Sequence, residues 1–127
     1  MNRLEERDWV FKLIYQDRLN EIDNLDKALE NHELSDNKFI KDSIASYQNH
    51  HEEIENTLKE FLDKRYSRMS NVELAILFLS INEINYLDIP APVSINEAVE
   101  LTKTYADEGD YKLINSILGK IVRKNNA

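Results

Sequence analysis

Apolar residues recur along this chain at intervals of three and four, and no stretch keeps the strict alternation of a half-buried strand. The pattern predicts an all-α protein. A first helix spans about Arg3 to Asp17, with Val10, Leu13 and Ile14 as its inward stripe. A short second helix covers about Ile22 to Glu30. "NHELSD" then reads as a turn, with Ser35 or Asp36 as the next cap. Further on, Ile40, Ile44 and Tyr47 make one stripe and Ile54, Leu58 and Phe61 another. The polar gap at His51 predicts a break near "QNHHEE" into two helices, the second capped by Asn49.

The second half is more sharply punctuated. Ser70 and Glu73 have the spacing of a capping box, in which each side chain accepts from the other's backbone N–H. Behind them, "VELAILFLSINEI" is apolar on nearly every side, the mark of a centrally buried helix. In "DIPAPVSINEAVEL", Pro90 and Pro92 interrupt helical geometry. Ser94 with Glu97 then reads as a second capping box, and Val93 with Ala98 as a hydrophobic staple. Ile95, Ala98, Val99, Thr102 and Tyr105 form the inward face that follows. Gly109 is placed as a left-handed stop and Asp110 as the cap of a last helix striped by Ile114, Ile117, Leu118 and Ile121. The sum is about seven helices in a single domain over 1–127. Three fall in a subdomain of approximately 1–66 and four in one of 67–127.

Charge changes the picture of partners. The chain carries 16 basic and 24 acidic residues, a net −8, which works against non-specific nucleic-acid binding. The cations are unevenly spread, however: Arg3 and Arg7 lie near one terminus, Lys112, Lys120, Arg123 and Lys124 near the other, and none between 69 and 102. If the termini meet, a small basic patch survives on an acidic protein. Arg3, Arg7, Val10 and Ile14 share one helix face. The arginines there either snorkel and pair with acids or form a basic edge beside a groove.

Candidate chemistry is sparse. With no cysteine, thiolate metal sites and cysteine nucleophiles are excluded. There is no Gly-rich phosphate loop. His50 and His51 point about 100° apart on a helix and make a poor metal pair. No enzyme, cofactor or metal is expected. No apolar run is long enough to span a membrane and the start lacks a signal-peptide core, so a soluble cytoplasmic protein is expected. The phenylalanines are expected in the core; Trp9 and Tyr15 suit either a core edge or a binding edge.

The order of motifs carries more information than any one of them. "DIPAPVSINEAVELTKTY" resembles the NusB family of bacterial transcription antitermination factors, whose similar segment runs Pro, Val, Ile-Asn-Glu-Ala, Leu-x-Lys. "RLEERDWVFKLIYQ", "RMSNVELAILFLSINEI" and "YKLINSILGKI" resemble the family's opening, central and last helices, in order, so the likeness spans about 3–122. It implies an all-helical fold of two small subdomains. It also implies binding to boxA-type RNA of ribosomal leaders together with the small ribosomal protein NusE, in an antitermination complex on RNA polymerase. By the resemblance, Arg3 and Arg7 contact RNA phosphate, Tyr15 matches an aromatic near the end of the first helix, and Lys112 lies close to the RNA edge. Glu73 matches an acidic position facing NusE.

Departures from the family pattern predict weaker intrinsic RNA affinity. Leu4, Glu5 and Glu6 stand where some relatives are more basic or smaller, Leu74 and Phe78 at positions often basic, Leu113 for a Phe that can stack on a base, and Ser116 for Gly. A competing expectation is therefore a protein-only helical interaction module, with homodimerisation as an option. A metal-dependent hydrolase using His50 and His51 is the weakest reading.

Overall fold

The structure is a computed structural model, described over residues 1–126. Six α-helices and one 3-10 turn follow in chain order. They are α1 (Arg3–Leu19), α2 (Leu25–Asn31), α3 (Lys38–Leu62), α4 (Asn71–Tyr86), α5 (Ala91–Tyr105) and α6 (Asp110–Asn125); the 3-10 turn Asp63–Arg68 joins α3 to α4. The all-α expectation holds, with one α-helix fewer than predicted.

Helix starts are set by short polar side chains. Asn2 Oδ1 accepts from Glu5 N at 2.8 Å and opens α1. Asn24 does the same for Lys27 N at 3.0 Å on α2. Asn37, rather than Ser35 or Asp36, caps α3 through Ile40 N at 2.9 Å. Ser70 and Glu73 form the predicted capping box of α4, with bonds of 2.8 and 3.1 Å.

Two expectations are corrected. First, α3 runs unbroken through "QNHHEE". His51 occupies the inward stripe itself, its ring 5.1 Å from that of Phe78 and edge-on to Tyr47. An imidazole thus does the packing expected of an aliphatic group, and the apparent gap is a continuous seam. Second, α5 begins at Ala91, with Pro90 at its cap and Pro92 inside the first turn, where no N–H is needed. Ser94 is consequently a buried residue of the helix, not its cap, and Val93 is exposed rather than stapled to Ala98. Gly109 is left-handed as predicted, at φ 100°, but it leads into α6; α5 has already ended at Ala106.

The core forms around α4, which packs against α1, α3, α5 and α6. Every residue from Leu74 to Glu83 is buried. Ser46 Oγ donates to Asn82 Oδ1 at 2.8 Å, and Asn82 Nδ2 donates to the Ser43 carbonyl at 3.0 Å, tying α3 to the hub. One apolar cluster reaches from Val10 to Ile121.

Candidate nucleic-acid interface

The start of α1 lies beside the start of α3 and the first turns of α5. Between them opens a groove of about 700 Å³ bordered by Arg3, Leu4, Phe39, Leu87, Val93 and Glu97. Arg3 is exposed, with its guanidinium 3.8 Å above the Phe39 ring and 3.2 Å from Glu6 Oε1. A cation resting on a ring at the surface is held weakly and stays available to an anion.

Arg7, one turn along, has a different fate. It is only 5% exposed, and its Nε donates to Glu83 Oε2 at 2.7 Å. Ser94 Oγ donates to the other carboxylate oxygen at 2.8 Å and lies 2.8 Å from Ser80 Oγ. Burial holds the Glu83 carboxyl above its ordinary range, and Arg7 and Ser94 only partly oppose that rise. A phosphate contact from Arg7 does not fit this enclosure: the residue is a buried tie from α1 to α4 and, through Ser94, to α5. The sequence signal for it was Glu83, a carboxylate on the helix whose apolar run marks it as central, which needs a buried partner.

The other predicted residues lie apart. Tyr15 is half-buried on α1, its ring 6.1 Å from Phe11, which stacks in turn on Tyr105 at 4.7 Å. It stands ~18 Å along the helix from Arg3. Lys112 is exposed in the first turn of α6 and borders a second groove, between α5 and α6. Glu73 is half-buried and engaged as the α4 cap. Trp9 is half-buried, packed on His32 at 4.9 Å with Lys12 Nζ 5.0 Å from its ring.

Arg3 and Lys124, cations near the two ends, do not meet. Arg3 touches Phe39 near the start of α3, whereas Lys124 Nζ pairs with Glu60 near its end at 3.3 Å. Those two contact points are ~31 Å apart along α3. The sequence reading also passed over Lys64, Arg65 and Arg68, exposed on the 3-10 turn at that far end. Their signal was the run "KRYSR".

The histidines have packing roles. The His50 ring stacks on Tyr86 at 3.7 Å, with Nδ1 2.9 Å from the Ser46 carbonyl. Among the described residues no group of three or more His, Cys, Asp or Glu side chains is placed to hold a metal ion, and no helix is long and apolar enough to cross a membrane. The arrangement offers exposed cations, aromatic edges and shallow grooves. These are the means of binding an extended polyanion and a protein partner.

Comparison with known proteins agrees. The family model described as the NusB family matches residues 4–123. The transcription antitermination protein NusB of Acetivibrio thermocellus is 39% identical over 130 residues, covering 97% of this chain and 90% of that protein. The protein of the same description from Thermoanaerobacter sp. (strain X514) is 36% identical over 129 residues, covering 97% and 91%. Among solved structures, T. maritima NusB superposes with a TM-score of 0.82 at 29% identity, covering 97% of this chain and 92% of that one. A chain from the crystal structure of antitermination factors NusB and NusE in complex with dsRNA gives 0.81 at 25%, covering 98% and 99%. Matched along almost its whole length, the chain belongs to the NusB family.

Proposed function

We propose that this protein is a transcription antitermination adapter of the cytoplasm. It binds boxA-type RNA jointly with NusE and so helps assemble an antitermination complex on RNA polymerase. Its work is binding and assembly, with no reaction catalysed. The observation that carries this reading is the match over 97% of the chain to antitermination proteins. A solved relative in complex with NusE and RNA supports it.

In this reading Arg3 and Lys112 contact phosphate, Tyr15 lies along the α1 edge, and Glu73 faces NusE while capping α4. Arg7 acts by holding α1 in place. The test is salt-dependent binding of a boxA oligonucleotide in the presence of NusE. Arg3→Ala should weaken binding evenly across sequences and lower the magnitude of the salt slope by about one. Glu73→Gln, which keeps the cap's acceptor, should weaken NusE without melting the helix. A wild-type slope in Arg3→Ala would remove Arg3 from the RNA interface, and wild-type NusE affinity in Glu73→Gln would remove Glu73 from the protein one.

The exposed apolar side chains Leu4 and Val93, at the rim of the α1–α5 groove, favour a second reading, a protein-only module that self-associates. Light scattering across a concentration series separates the two. A dimer that NusE does not disperse and that ignores RNA would replace the adapter reading.

A further inference from the structure

The groove between α5 and α6 is bordered by Ile95, Asn96, Val99, Tyr111, Lys112 and Asn115 and is an open cleft of about 470 Å³. That is within the ~300–1,000 Å³ of small-ligand pockets. Its walls combine four chemistries. Ile95 and Val99 give an apolar floor from α5. Tyr111 gives a half-buried aromatic ring, with Lys103 Nζ 4.9 Å from its centroid. Asn96 and Asn115 bring exposed amides from the two helices, and Lys112 an exposed cation at the rim. A ring to stack on, amides to read a polar edge and a cation for the adjoining phosphate match the needs of an unpaired RNA base.

The ring stands on a different side of α6 from position 113. Leu113 stands where the family likeness leads one to expect a stacking Phe, and it points outward, 37% exposed. Two residues along a helix are ~200° apart around its axis, so Tyr111 is on a different side of α6 from Leu113. Tyr111 and Asn115, four apart, share the side turned to α5.

We propose that Tyr111 is the stacking platform for one unpaired RNA base lodged in the α5–α6 groove, its edge met by Asn96 and Asn115 and its phosphate by Lys112. The inference rests on the RNA-binding reading above and adds where a base is held and by which ring. The lost aromatic at 113 is then relocated rather than missing, and the base enters the cleft between two helices.

The test uses the full chain with NusE and a labelled boxA oligonucleotide at fixed salt. Tyr111→Ala should lose roughly 5- to 150-fold in affinity, Tyr111→Phe should bind as the wild type, and the salt slope should stay unchanged in both because the ring neutralises no phosphate. Replacing each nucleotide in turn by an abasic one should reveal a position whose loss costs the wild type but not Tyr111→Ala. Asn115→Ala should weaken binding at that position too, so the proposal does not hang on one variant. Wild-type RNA affinity in Tyr111→Ala while Arg3→Ala binds weakly would overturn the base site and leave the RNA reading standing. Loss of NusE rather than RNA affinity in Tyr111→Ala would make the groove a protein contact and overturn it as well. No binding of boxA RNA by the wild type would bring down both.

Discussion

Arg3 and Arg7 lie one turn apart on α1, and the physics of their surroundings divides their roles. Arg3 is solvated and rests on Phe39. Arg7 is enclosed with Glu83, and breaking such a pair strands a buried charge. Arg7→Ala should therefore destabilise the fold by about 3–5 kcal/mol, measured by urea denaturation, whereas Arg3→Ala should leave the midpoint nearly unchanged. Equal effects would contradict the assignment. Spacing put both arginines on one face; it did not say which would meet a carboxylate 76 positions away.

Tyr105 offers a residue-scale prediction in pH. Burial, and then the hydrogen bond its hydroxyl donates to Asp8 together with that carboxylate's charge, raises its phenol from 10.0 to about 12. The folded chain holds this proton more tightly than the unfolded one. The stabilisation is complete below pH 10 and is lost as pH rises through about 12. Difference absorbance between wild type and Tyr105→Phe should show the late-titrating phenol, and Asp8→Asn should move it toward 10. A transition near 10 in the wild type would refute the contact.

At the scale of elements, α4 was the most legible helix. Its capping box and unbroken apolar run gave its start and its central burial directly, because both are local or nearly so. Ile76→Ala, at a fully buried site on this hub, should cost about 2–5 kcal/mol in the same denaturation assay; a loss below 1 kcal/mol would argue against the hub. The middle of α3 and the start of α5 were read less well. In α3, His51 packs as an aromatic against Phe78, and composition alone marks histidine as polar. In α5, Ser94 and Glu97 have capping-box spacing, but Pro90 and Pro92 fit a first helical turn, and the buried acceptor Glu83 claims the Ser94 hydroxyl.

At the scale of the molecule, two groups of cations stand toward opposite ends of α3. Arg3 sits near its first turns, while Lys124 and the 3-10 turn with Lys64, Arg65 and Arg68 lie at the other end. Sequence could show that cations cluster near both termini; only the length of α3 shows that those clusters stand apart. Lys112 lies across α5 from Arg3, each bordering its own groove. In the proposed adapter, RNA meets separated contacts rather than one basic patch, so its affinity without a partner should be modest, with a shallow salt slope set by few phosphate contacts. The all-helical class and the family likeness were legible in the order of motifs. The site was less so, because which cation is free depends on contacts between distant elements.

The adapter account claims that RNA and NusE bind together and with sequence preference. The most direct measurement is fluorescence anisotropy of boxA and scrambled oligonucleotides at one stated salt concentration, with and without NusE. The account predicts weak, barely selective binding by the chain alone, and tighter binding with clear boxA preference once NusE is added. Equal affinity for the two RNAs in the presence of NusE would contradict it.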